Sequence, residues 1–290
     1  MDPSRGPHPK PDRSEGFVQT SGLQIYYVRW GAAPRGGRPL VVLHGGPGAS
    51  HDILVPGFGP LAAGREVIFY DQRGCGRSRR LTDETPCTLA DNVADLEVLR
   101  RELGLGRIDL AGHSWGGLLA MAYALDRGRR VRKLVLITPA LPYLPNPSWS
   151  EFLGRLPLEK LEDIERVRRS ERRSGSAKAA ALWRITVPEF FHRKAVLEGM
   201  GLERMPYSPE AAGRLADDLF GLDLRPRLRR LRIPTLIVAG RFDPRLALKH
   251  QEALADLLPQ ADLAVMEASG HFPFLEEPEA FIRTVEAFLG

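Results

Sequence analysis

The sequence predicts an α/β fold, a mostly parallel central sheet flanked by helices and carrying an inserted helical cap. Three observations support it. A continuous apolar run at residues 39–43 and strand-like stretches at 131–137 and 233–240 have the length of buried strands. Stretches with helical apolar spacing separate such runs, as crossover helices between parallel strands do. From about residue 141 to 223 strand signals vanish, and proline clusters, Arg/Glu-rich helical stretches and scattered aromatics take over.

With 290 residues the chain can hold one large α/β domain with an insertion, or two small domains. The patterning divides it into a flexible tail at 1–15, a core at 16–140 and 225–290, and the cap at 141–224. The formal net charge is +5, yet acids are nearly as numerous as bases and the arginines are widely spread. No aromatic-plus-basic recognition motif is visible, so no nucleic-acid partner is expected. No apolar run reaches about eighteen residues, so no membrane association is expected. Met1 to Ser14 lacks the apolar middle of a signal peptide, which points to the cytoplasm. Two cysteines, Cys75 and Cys87, do not make a disulfide framework.

The elements follow in order. Residues 17–20 and 23–28 read as an antiparallel hairpin around Ser21-Gly22. Run 39–43 leads into His44-Gly45-Gly46-Pro47-Gly48. A glycine-rich turn leaving a buried strand exposes backbone N–H groups at the carboxyl edge of the sheet, where open α/β sheets bind ligands. No Lys-Ser/Thr follows, as a phosphate-binding loop would require. Strand 66–70 ends in a second glycine-rich turn at 71–78, where Asp71 and Arg73 are expected to brace the loop and Cys75 to pack. Thr88 opens a helix with Val93, Leu96, Leu99 and Leu103 at helical spacing. Strand 108–111 and the helix formers of 118–125 enclose Gly112-His113-Ser114-Trp115-Gly116. Residues 156–173 interleave acids and arginines as a solvated helix face does, and Ser208-Pro209-Glu210 starts another helix. Strand 233–240, helix 246–258, strand 262–266 and an amphipathic helix at 278–289 complete the chain.

Gly112-His113-Ser114-Trp115-Gly116 fits G-x-S-x-G, which places a serine hydroxyl at the tip of a sharp strand-to-helix turn. Such a serine needs a base, and the base an orienting acid. His271 and Asp243 lie in the loops after the last two strands, and parallel strands bring those loops to the same edge as Ser114. The order Ser114, Asp243, His271 is one known for this chemistry. His44 and His113 sit within glycine turns and are expected to shape them. His51 is a rival base, while His8, His192 and His250 fall in the tail, the cap and a helix. Backbone N–H groups of Gly46 and Trp115 are placed to stabilise an oxyanion.

These motifs, with Asp71-Gln72-Arg73-Gly74-Cys75-Gly76-Arg77-Ser78, Gly240-Arg241-Phe242-Asp243 and Ser269-Gly270-His271, resemble the α/β-hydrolase fold and, within it, the proline iminopeptidase group of serine peptidases. The resemblance covers about 17–139 and 225–290. It implies Ser114 as nucleophile, His271 as general base and acid, Asp243 as orienting acid, and Gly46 and Trp115 as oxyanion donors. It implies no metal and no organic cofactor, and a small peptide or ester as substrate.

Members that cut an N-terminal residue hold the free amine with cap glutamates, and this cap is short and matches their pattern poorly. A cationic α-amine favours a nearby carboxylate; the candidates are Glu189, Glu203, Glu210, Asp217 and Asp218. Trp183, Phe190, Phe191 and Phe220 either line an apolar pocket or pack the cap onto the core. The leading reading is an aminopeptidase releasing an N-terminal residue, proline preferred. A carboxylesterase or small-amide hydrolase on the same residues is the alternative. A non-catalytic binding protein on this fold, and a nucleic-acid partner of the basic cap, are the readings from other classes. Oligomeric state is not legible in the sequence.

Overall fold

A computed structural model describes residues 12–31, 38–198 and 205–290. Eight strands, β1 (Arg13–Gln19), β2 (Gln24–Trp30), β3 (Leu40–Leu43), β4 (Val67–Tyr70), β5 (Ile108–His113), β6 (Val131–Ile137), β7 (Thr235–Gly240) and β8 (Ala261–Met266), form one sheet. Their order is β1-β2-β4-β3-β5-β6-β7-β8. β3 to β8 are parallel, while β1 and β2 form an antiparallel hairpin whose inner strand joins β4 antiparallel. The fold is that of an α/β hydrolase.

The pleat sorts each continuous apolar run into two cores. Side chains alternate across a strand, so Val41 and Leu43, Ile68 and Tyr70, and Leu134 and Leu136 face one layer. Leu40 and Val42, Val67 and Phe69, and Val135 and Ile137 face the other. Helices Leu89–Glu102, Trp115–Arg127 and Leu248–Leu257 cover the first face through residues such as Leu96, Met121 and Leu254. Helix Pro278–Leu289 and the segment around Phe58 cover the second through Phe281, Val285 and Leu289. Each fully buried Leu or Phe contributes about 1.5–3 kcal/mol, against at most about 1 kcal/mol for an exposed pair such as Arg166–Asp163. The two cores therefore hold the sheet and its helices together. Helix Leu89–Glu102 starts as expected: Asp91 N–H donates to Thr88 Oγ1 at 3.1 Å, and Thr88 N–H donates to Asp91 Oδ2 at 2.9 Å.

β1 begins at Arg13, inside the stretch 1–15 expected as a tail. Arg13, Ser14 and Glu15 pair with Trp30, Arg29 and Val28. Ladder hydrogen bonds belong to the backbone, so polar residues extend an edge strand without an apolar signal. Residues 1–11 lie outside the described residues.

Between β6 and β7 the chain forms helices Ser148–Leu153, Leu158–Arg169, Gly175–Thr186, Pro209–Asp218 and Arg225–Leu228. An antiparallel bridge between Tyr143 and Asp223 ties the two ends of this stretch together. Leu144 N–H donates to Leu222 O and Leu224 N–H to Pro142 O, each at 2.8 Å. Among the described residues no helix is long and apolar enough to cross a membrane.

Candidate active site

β5 ends in His113, and the next residue turns into helix Trp115–Arg127 with φ 53° and ψ −117°. A non-glycine residue there is strained by about 1–3 kcal/mol, and only surrounding contacts hold it. Ser114 N–H donates to Ile137 O at 3.0 Å, while its carbonyl accepts from Gly117, Leu118 and Ala140 N–H groups. The turn closes because two side chains are missing. A Cβ on Gly112 would lie 2.2 Å from Gly116 O, and one on Gly116 would lie 2.3 Å from Leu43 O. Ser114 is left half-buried at the carboxyl edge of the sheet, and its Oγ has no hydrogen-bond partner among the described residues.

His271 and Asp243 come from the loops after β8 and β7. His271 Nδ1–H donates to Asp243 Oδ2 at 2.7 Å, and both side chains are buried. Asp243 Oδ1 accepts from the N–H groups of Arg245 at 2.8 Å and Leu246 at 2.9 Å, which fixes the carboxylate. His271 N–H donates to Phe190 O at 2.9 Å, and its own carbonyl accepts from His113 Nε2–H at 2.9 Å and Thr138 Oγ1–H at 3.0 Å. Burial holds His113 well below the usual imidazole range, and the neighbouring His271 adds to the effect. His113 is therefore a neutral donor to the loop that carries His271.

Ser114 and His271 open into one cavity of about 390 Å³. Its floor is the sheet edge with Gly46, Pro47 and Trp115. Leu141, Leu144, Trp149, Leu182, Trp183 and Phe190, from the stretch between β6 and β7, form apolar walls. Tyr207 stacks on Trp183 with ring centroids 4.7 Å apart. Gly46, at φ +121°, and Trp115 both reach this cavity, and neither N–H has an acceptor among the described residues. Such free donors beside Ser114 can stabilise developing negative charge.

The other candidates lie elsewhere. Glu189 pairs with Lys194 Nζ at 2.7 Å and faces Lys160 at 3.9 Å. Glu210 accepts from Ser176 Oγ–H at 2.6 Å. Asp218 accepts from Leu89 N–H at 2.7 Å, and Asp217 is exposed. None of these four lines the cavity, because each sits on the outer side of its helix or is held by a nearer donor. Glu203 lies outside the described residues. Trp183 and Phe190 line the cavity; Phe191 instead stacks on Phe272 with centroids 4.3 Å apart, and Phe220 is 80% exposed. His51 is paired in the same way, its Nδ1–H and N–H both donating to Asp71 Oδ1 at 2.8 Å, but unlike His271 it does not line the cavity that Ser114 enters. Arg73 braces its loop through Asp95, at 2.8 Å from both Nε and Nη2. Among the described residues no group of three or more His, Cys, Asp or Glu could hold a metal ion.

Two residues were not singled out from the sequence. Glu276, fully buried, accepts from Gly270 N–H at 2.9 Å and from His192 and Arg193 N–H at 2.9 and 2.8 Å. It thus binds the His271 loop to the segment that supplies Phe190. Arg245 lines the cavity with Ser148 and Asn146, and burial depresses its guanidinium to about 10. The signals were slight: Arg245 follows Asp243 by two residues and Glu276 follows His271 by five.

Residues 40–284 match the model of a family described as the alpha/beta hydrolase family. A proline iminopeptidase from Heyndrickxia coagulans is 31% identical, with 95% of this chain and 98% of that protein covered. One from Lactiplantibacillus plantarum is 32% identical over 93% of this chain and 98% of that one. An esterase from Exiguobacterium antarcticum has a similar structure, with a TM-score of 0.74 and 25% identity over 94% of this chain and 98% of that one.

Proposed function

The chain belongs to the alpha/beta hydrolase family, in its proline iminopeptidase group, and on that premise we propose that it is a serine hydrolase working through an acyl-enzyme. Ser114 Oγ attacks the scissile carbonyl while His271 Nε2 takes its proton. The oxyanion is held by the N–H groups of Gly46 and Trp115. His271 then gives the proton to the leaving group, and water attacks the acyl-enzyme by the reverse sequence. Asp243 keeps the His271 proton on Nδ1, so that Nε2 is free to act as base. The observation that carries this reading is the 2.7 Å Asp243–His271 hydrogen bond on the wall of the cavity that Ser114 enters from its strained turn.

We further propose an aminopeptidase that releases an N-terminal residue, proline preferred, from short peptides. Support comes from the iminopeptidase relatives, which align over nearly the whole chain. In this reading residues 141–224 act as a cap over the core of 16–140 and 225–290 and exclude water from the reaction. The setting is a reducing cytoplasm in which Cys75 and Cys87, both buried and free, remain thiols. A carboxylesterase or small-amide hydrolase is the second reading. One observation favours it: no carboxylate among the described residues lines the cavity to receive an ammonium.

Amino-acid p-nitroanilides assayed beside p-nitrophenyl acetate distinguish the two. The aminopeptidase releases nitroaniline from unblocked proline anilide and loses that activity when the amine is acetylated. Ester cleavage alone, or indifference to the blocked amine, selects the second reading. Ser114→Ala is expected to lower kcat by about 10⁴ or more on any productive substrate. Turnover that survives this change would remove Ser114 from the mechanism.

A further inference from the structure

We propose that Arg245 forms a carboxylate subsite inside the cavity that serves Ser114, and that the substrate carries a free carboxylate bound there. This rests on the reading of Ser114 as nucleophile and adds the class of group that the site selects.

The argument starts from an imbalance. Arg245 Nη1–H donates to Ser148 Oγ at 2.6 Å, and the guanidinium lies 4.9 Å from the Trp149 ring centre. Ser148 Oγ–H in turn donates to Asn146 Oδ1 at 2.6 Å. Nε and Nη2 have no acceptor, and no carboxylate lies within 4 Å of the guanidinium, among the described residues. The Asp243 carboxylate favours the cation by its charge but makes no side-chain hydrogen bond to it. Its Oδ1 is taken by the backbone of Arg245 and Leu246, and its Oδ2 by His271.

Arg245 is half-buried, and a cation partly withdrawn from water is stabilised when an anion or several acceptors meet it. One hydroxyl and one aromatic face meet only part of that demand. The remaining donors of a planar fork match the two oxygens of a carboxylate. The rest of the cavity is mostly apolar, so the fitting ligand has an apolar body and one anionic end. The same charge repels an ammonium. A peptide's free amine is therefore directed away from this end, and its C-terminal carboxylate towards it. Two sources satisfy the chemistry: the leaving group of a short peptide, or the acyl part of a dicarboxylic acid derivative.

The test uses matched pairs. Pro-Phe is compared with Pro-Phe amide, and p-nitrophenyl hydrogen glutarate with its methyl-capped diester, on the wild type, Arg245→Met and Arg245→Lys. The expected wild-type result is a kcat/KM about 10- to 100-fold higher for the carboxylate member of one pair. That ratio falls to near one in Arg245→Met and is partly kept in Arg245→Lys. The pair that shows it identifies the source. A wild-type ratio near one in both pairs, or one unmoved by Arg245→Met, overturns the subsite.

If none of these is turned over, the Ser114 reading loses support, but the subsite is still decided by binding. Calorimetry of Pro-Phe and glutarate with Ser114→Ala and with Ser114→Ala/Arg245→Met needs no chemistry. Binding of either probe, weakened tenfold or more in the double variant, upholds the carboxylate site. No binding of either probe, or equal binding by both proteins, overturns it.

Discussion

Asp243 has three acceptor duties, and they separate cleanly on substitution. Its Oδ1 takes two backbone N–H groups of the following turn, and its Oδ2 takes the proton of His271 Nδ1. In Asp243→Asn the amide oxygen can keep the turn, but the NH₂ group then faces Nδ1. That geometry moves the imidazole proton to Nε2, where it blocks removal of a proton from Ser114. The fold is expected to survive while kcat falls by about 10⁴ with a much smaller change in KM. Steady-state kinetics beside a thermal melt checks this; a loss below tenfold would mean that Asp243 does not set the tautomer. The same residue-scale logic explains why Gly116 is required at the turn. A Cβ there would meet two backbone carbonyls, Leu43 O at 2.3 Å and His44 O at 2.6 Å, and backbone has little room to yield.

Between elements, Glu276 joins two loops that the chain order keeps far apart. One oxygen accepts from the His271 loop, through Gly270 at 2.9 Å and Phe272 at 3.4 Å; the other accepts from His192 and Arg193. Glu276→Gln sets an NH₂ group against one of these donor pairs. Stability is expected to drop by about 1–3 kcal/mol, with a lower kcat, because the His271 N–H to Phe190 O bond loses its support. Urea unfolding and kcat at saturating substrate measure the two effects; a variant matching the wild type in both would show the clamp to be idle. This clamp also marks where the sequence stops being legible. Strands such as 39–43, and 131–137 beyond Arg132 and Lys133, announce themselves, since burial on both faces demands apolar runs. Ser114, Asp243 and His271 are legible because parallel strands carry their following loops to one edge. Glu276 and Arg245 are charged residues whose meaning depends on partners far away in sequence, and no local pattern distinguishes them from solvated ones. The start of β1 was hidden for a related reason: Arg13 to Glu15 pair through backbone alone.

Across the whole molecule, stability against pH follows from which buried groups change their protons on unfolding. Burial holds His44 and His113 below the ordinary imidazole value of 6.5, although the Asp71 charge partly offsets this at His44. The unfolded chain takes up these protons as pH falls through about 6.5, while the native protein does not until lower pH. Below that point the unfolded state binds more protons, so stability decreases as pH falls, by up to about 1.4 kcal/mol per pH unit for each histidine. Above it the two contribute no slope. Asp95 and Glu276 act with the opposite sign, since burial raises both carboxyls above their ordinary values of 3.8 and 4.5. In the window just above those values the native state holds the extra proton, so acidification there adds stability and flattens the curve. Glu97, pulled down to about 2 by the Arg100 hydrogen bond, acts in the same direction as the histidines and removes stability below its ordinary value of 4.5. Between about pH 6.5 and the onset of carboxyl titration the histidines therefore set the slope. Unfolding free energies at pH 7.5, 6.5 and 5.5 should fall across the last interval, and His113→Gln, which keeps a donor for His271 O, should fall less steeply than the wild type. Equal slopes in the two proteins would mean that His113 is protonated in the native state over this range, and its place as a neutral donor behind His271 would have to be abandoned.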